Sequence, residues 1–310
     1  MDQWTKTKKM DGIKKAKRKL KTTEPEQKPE KTELEKPQAK RVKPDLWYNP
    51  VNDSIYKTVT INIGDFYDKK STGFTLANLE KIAKRFKNTT IFNLLDYIED
   101  EETKQKVDGE PYLLLIRDGV NQISENLTSE ILTEQLALEP LTNKEYFNQK
   151  KKRVEKKHAR HHMTFADKDI EPDYPNGVSR QISLTQIPKT KKYMNHIVTM
   201  LAEMFPEKKL AEFLEVNYYP KNKGGIGFHG DTERKIAISA RFGTKAPMVF
   251  QWYHKAKILG KMFRFEVNSG DFYIMAEKTT GYDWRYSSKY TLRHAAVGEK
   301  YMTVSKKNKP

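Results

Sequence analysis

The chain has 310 residues, 36% of them hydrophobic and 32% charged, with a net charge of +17 and no cysteine. The lack of thiols excludes disulfides, thiolate zinc and iron–sulfur centres, leaving metal chemistry to His and carboxylates. The charge points to polyanions, DNA or RNA above all, and the low apolar fraction predicts a disordered segment beside one or two folded domains.

In chain order, residues 1–45 read as a disordered Lys-rich tail. They mix Lys, Glu and Pro and cannot bury enough apolar area to offset ordering. The run K-K-A-K-R-K-L-K at residues 14–21 suits nuclear import or tethering to nucleic acid, or a tail that is simply solvated. The charged N-terminus lacks the apolar segment of a secretory signal, and no run of about 18 apolar residues predicts a membrane span. An intracellular protein, nuclear or cytoplasmic and more readily monomeric, is expected.

Residues 46–110 read as a small accessory α/β segment, with a strand over 56–63 and helices over 75–86 and 93–103. They carry no chemical motif. A buried strand is predicted at 111–118 and a helix at 127–139, capped by Ser124 or Thr128. A very basic helix is predicted at 143–157, running into His158, Arg160, His161 and His162. His158 and His162 have helical metal spacing, but no carboxylate or Cys completes a site there. A strand at 179–187 follows, then a long amphipathic helix over 189–213, whole or broken at Pro206. Met194, Ile197, Leu201 and Phe205 lie on its apolar face.

From residue 216 the pattern turns to short strands, a sandwich or barrel signature. Strands are predicted at 216–219, 235–242, 248–253, 261–267, 272–276, 290–296 and 301–305. Between the first two stands Phe228-His229-Gly230-Asp231. On a strand, positions i and i+2 share a face, so His229 and Asp231 can hold one side of a metal ion. A second His would complete a two-His-one-carboxylate triad with open coordination positions. Of the seven His, His254 sits too early, His196 rides the long helix, and His294 stands on a late strand after Gly270-Asp271. His294 is the candidate. An insertion at 277–289 precedes it and carries Tyr282, Trp284 and Arg285. Aromatics interleaved with cations suit base stacking, worth about 1–3 kcal/mol per base.

Asn217-x-Tyr219, His229-x-Asp231, Ser239-x-x-x-Gly243, Gly270-Asp271, His294 and a basic residue beyond it together resemble the AlkB-type branch of the 2-oxoglutarate/Fe(II) dioxygenases. The resemblance covers residues 111–307 and is firmest over 216–306. It implies an α+β, mostly β catalytic domain over 111–310: a double-stranded β-helix, or jelly-roll, with core 216–307 and buttressing helices. It implies Fe(II) on His229, Asp231 and His294, with 2-oxoglutarate and O2 as cosubstrates. Asn217 and Tyr219 match the positions that hydrogen-bond 2-oxoglutarate. The distal carboxylate needs a buried cation, usually Arg about a dozen positions after the distal His. Here that position is Lys306, a departure, because Lys cannot fork onto a carboxylate. Arg241, then Lys300, are the other candidates. Segments ahead of the barrel form a substrate-facing lid in this family, which implies substrate roles for Arg160, His161 and His162. The implied activity is oxidation, by hydroxylation or demethylation, of a nucleic-acid base. A protein side-chain or small-molecule hydroxylase is the alternative within enzymes, and a catalytically silent nucleic-acid-binding barrel the alternative outside them.

Overall fold

The computed structural model describes residues 54–65, 71–221 and 224–303. The tail expected over 1–45, the cation Lys306 and the end of the strand expected at 301–305 lie outside the described residues. The described chain is a mixed α/β structure, mostly β.

Strand β1 (Tyr56–Gly64) precedes helix α1 (Leu76–Ala83), closed at its start by a capping box between Thr75 and Asn78. Then come β2 (Thr89–Asn93), a 3₁₀ turn (Leu94–Tyr97), α2 (Glu101–Gln105), β3 (Tyr112–Ile116), α3 (Gly119–Ile123) and α4 (Leu127–Ala137). A hairpin of β4 (Glu145–Asn148) and β5 (Arg153–Lys156) follows, with β6 (His161–Ala166), β7 (Gln181–Ser183) and the long helix α5 (Pro188–Met204) after it. The rest is β8 (Leu214–Pro220), β9 (Ile226–His229), β10 (Ala237–Gly243), β11 (Ala246–His254), β12 (Lys257–Val267), β13 (Phe272–Met275), β14 (Thr291–Ala296) and α6 (Glu299–Met302).

Eight strands make one sheet, in the order β2-β3-β13-β10-β1-β8-β6-β7, and four make a second, β12-β11-β14-β9. The two remain separate sheets, so the strands do not close into one barrel. Strand alternation sorts the large sheet's side chains. On one face Val59, Ile61, Val216, Tyr218, Ile238 and Phe242 pack with helices α4 and α5 in the larger core. On the other, Leu113, Leu115, Tyr273 and Met275 pack against Phe250, Trp252, Phe263 and Phe265 of the smaller sheet. That second face turns polar along β10, β1, β8 and β6. There Ser239, Arg241, Asn62, Asn217 and His162 line a cavity instead.

Several expectations are corrected. The boundary at 110/111 does not divide the fold, because β1 lies in the middle of the large sheet, between β10 and β8. Residues 46–110 are therefore not an accessory segment. The basic helix expected at 143–157 is the β4–β5 hairpin. Its turn is set by Asn148, whose side-chain oxygen accepts the Lys150 and Lys151 amides, and by Lys152 at φ 51°. Lysines favour helix weakly, and here no apolar stripe supports one. The helix expected at 93–103 is split, because Ile98 is extended and Asp100 starts a new turn as N-cap. The cap expected for α4 is Asn126 in left-handed conformation, without a side-chain cap bond. Tyr301, expected on a strand, is helical.

Candidate metal centre

The centre is built where two strands of the small sheet meet. His229 ends β9 and pairs across the ladder with His294 of β14. Their ring centroids are 4.4 Å apart. Asp231 Oδ1 lies 3.9 Å from His229 Nε2 and 3.7 Å from His294 Nε2. One ligand atom from each of the three residues falls within 4.8 Å of the others.

Local hydrogen bonds prepare the donors. His229 Nδ1 faces the carbonyls of Gly227 (2.8 Å) and His294 (3.1 Å). A proton held there fixes the tautomer and leaves the Nε2 lone pair free. Burial, with His229 beside it, pushes the His294 imidazole well below its ordinary range, so it stays neutral. Burial raises the Asp231 carboxyl, against the pull of Arg234 and His229. Two imidazoles and one carboxylate converging on one point suit a divalent cation.

His229 and Asp231 converge for a reason other than strand alternation. β9 ends at His229, and the chain turns at Gly230 against the segment 277–289. The Asp231 amide donates to the Thr280 carbonyl (2.9 Å). A Cβ at Gly230 would collide with the Gly281 carbonyl and lie 2.8 Å from Trp284 Cδ1. Gly230→Ala is therefore expected to push the two ligands apart and weaken metal binding at least tenfold, read by Co(II) titration. Unchanged Co(II) affinity would show that this close approach is unimportant.

The segment 277–289 is pinned from below. Lys278, 2% exposed, reaches Asp283 (2.7 Å) and Asp108 (2.5 Å), and Asp283 is fully buried.

A cavity of about 570 Å³ opens from the triad between the sheets. Asn217 and Tyr219 line it from β8, Ser239 and Arg241 from β10, and Tyr273 from β13. Arg241 is 0% exposed, and none of its three guanidinium nitrogens has a hydrogen-bond partner among the described residues. Burial raises the phenols of Tyr219 and Tyr273, and the Arg241 charge opposes it in both. An unpartnered buried guanidinium is costly unless an anion reaches it. Lys300 is not part of this cavity. Its ammonium sits 4.8 Å over the Tyr301 ring on α6.

The residues expected to face substrate divide. Arg160, Trp284 and Arg285 line the cavity, and Arg160 Nη1 donates to Asn217 Oδ1 (2.9 Å). Tyr282 does not line it and lies under the Lys235 ammonium (5.4 Å). His161 does not line it either. Its Nε2 donates to the Lys157 carbonyl (3.2 Å), and its Nδ1 accepts from the buried Tyr56 hydroxyl (2.5 Å). One step along β6, His162 takes the cavity side, with Lys157 Nζ 2.5 Å from its Nδ1. Burial and the neighbouring cations hold His162 down to about 4 and Lys157 down to about 8. Thr60, Asn62, Glu215 and Arg234 also line the cavity and were not anticipated. The alternation of Thr58, Thr60 and Asn62 with Val59, Ile61 and Ile63 was the available signal for two of them.

No family model matches the chain. It is 32% identical over 236 residues to "Uncharacterized protein R156" of Acanthamoeba polyphaga mimivirus, a match spanning 74% of this chain and 87% of that protein. At that identity and coverage, the chain belongs to the same family as the mimivirus protein.

Proposed function

We propose that the protein is an AlkB-like 2-oxoglutarate- and Fe(II)-dependent dioxygenase that oxidises a nucleic-acid base. Two facing sheets of eight and four strands are compatible with the double-stranded β-helix such an enzyme needs. The observation that carries the reading is Arg241, a buried and unpartnered guanidinium opening on the same cavity as the His229–Asp231–His294 triad. It is the forked cation that the position of Lys306 lacks.

In this reading the triad holds Fe(II) through two imidazoles and one carboxylate. Arg241 receives the distal carboxylate of 2-oxoglutarate, and Asn217 and Tyr219 hydrogen-bond the same molecule. Bound together, Fe(II), 2-oxoglutarate and O2 would supply the oxidant for a substrate C–H bond, with succinate and CO2 as co-products. Arg160, Trp284 and Arg285 face the substrate side. The bond from Arg160 to Asn217 ties that side to the cosubstrate. A net charge of +17 favours a nucleic acid over a neutral metabolite.

The test is anaerobic addition of Fe(II) and 2-oxoglutarate to the full chain. A weak visible charge-transfer band is expected in the wild type and not in His229→Ala. No band at saturating 2-oxoglutarate would end the oxygenase reading.

A further inference from the structure

Behind the metal cavity lies a second one, of about 590 Å³. We infer that this second, basic cavity under the β4–β5 hairpin seats backbone phosphates of a single-stranded nucleic acid whose base occupies the metal cavity. The inference rests on the nucleic-acid half of the proposed function and is independent of its oxygenase half.

The two cavities lie on either side of β6. Strand alternation sends His162 to the metal cavity and His161 to the second. Lys157 lines both. The wall of the second cavity carries Lys144, Lys156, Lys157 and Arg180 against one carboxylate, Glu145. Arg180 is already paired with Glu171 (2.9 Å). Neither Lys144 nor Lys156 forms an ion pair among the described residues, although Lys156 stands across the hairpin from Glu145, and Lys144 lies opposite Lys157. Burial lowers the His161 imidazole below its ordinary range, and the Lys144 and Lys157 charges add to that.

Such a wall fits an anion, and the surroundings favour a strand over a small one. The hairpin tip continues the positive track with Lys150, Lys151, Lys152 and Arg153, moderated by Glu155. A free phosphate fills one cavity, whereas a linear polyanion can follow the track from the tip, past Lys144 and Lys156, to the shared Lys157. Contacts of this kind set register and affinity without reading sequence.

The experiment measures binding of a fluorescein-labelled single-stranded oligonucleotide to the full chain by anisotropy, across a salt series, without iron or 2-oxoglutarate. Wild type is compared with Lys144→Gln/Lys156→Gln, both surface changes, with unaltered circular dichroism as the folding control. The double variant is expected to bind at least tenfold more weakly. Its log affinity should depend less steeply on log salt, by about 1.4 for two lost phosphate contacts. An unchanged affinity and slope in the double variant would overturn the proposal. So would full displacement of the oligonucleotide by millimolar inorganic phosphate at constant ionic strength, which would mark a small-anion pocket. Loss of the charge-transfer band in wild type bears only on the oxygenase reading and leaves this result standing.

Discussion

Arg241→Met is expected to move function and stability in opposite directions. The guanidinium is fully buried with no partner on any of its three nitrogens among the described residues. A buried donor left unmatched costs about 1–3 kcal/mol, more when charged. Methionine fills much of the same volume and has no donors to strand, so the ligand-free variant is expected to unfold at higher temperature than wild type. The same change removes the cation assigned to the distal carboxylate of 2-oxoglutarate, and cosubstrate affinity is expected to fall at least a hundredfold. Two measurements separate the effects. Isothermal titration with 2-oxoglutarate, in the presence of a redox-inert divalent metal, reads the affinity. Thermal unfolding with and without 2-oxoglutarate reads linkage, since a ligand that binds only the native state raises the midpoint. Wild type should be stabilised by 2-oxoglutarate and the variant should not. A variant that is less stable than wild type when ligand-free would mean that Arg241 has a structural partner, and the assigned role would fall.

The second large effect is at Lys278. Its ammonium is buried between Asp283 and Asp108. Lys278→Met leaves Asp283, which is 0% exposed, without its cation. Breaking a buried pair by removing one partner costs about 3–5 kcal/mol. Urea unfolding is expected to report a loss of that size, with part of it recovered in Lys278→Met/Asp283→Asn, where the stranded charge is gone. The damage should reach the metal centre, because Thr280 and Gly281 lie in the same segment and fix Asp231 and Gly230. A Lys278→Met protein with wild-type stability would show that the pair contributes nothing net.

What was legible in the sequence followed from period and order. The short strands after residue 216 follow from alternation and turn residues, and the order of motifs that resembles the AlkB-type family points to His294 as partner of the His-x-Asp; the structure brings His229, Asp231 and His294 together, although Asp231 lies beyond the end of β9. What was not legible depended on burial. Three cations are candidates for one carboxylate, and counting positions past His294 puts first Lys306, which lies outside the described residues. That Arg241 is stripped of water is a property of the packed β10, and no linear spacing reports it. Phase was the second gap. A one-residue shift on a strand exchanges its faces, and reading residues 143–157 as a helix leaves β6 without a phase, so His161 and His162 are not told apart by the sequence, whereas only His162 lines the metal cavity. The third was distance in sequence. Nothing in residues 56–63 says that their partners are β8 and β10.

That placement of β1 has a kinetic consequence. Asn62 in β1 accepts a hydrogen bond from Ser239, 177 residues later in the chain. The centre of the large sheet thus cannot assemble until β10 has left the ribosome. At about 5–20 residues per second, β1 waits on the order of ten seconds or more with its Val and Ile side chains unburied. Non-local pairing of this kind slows folding. An apolar strand held open for that interval is a template for intermolecular pairing. Yield during synthesis will therefore depend on what shields β1 before β8 and β10 arrive.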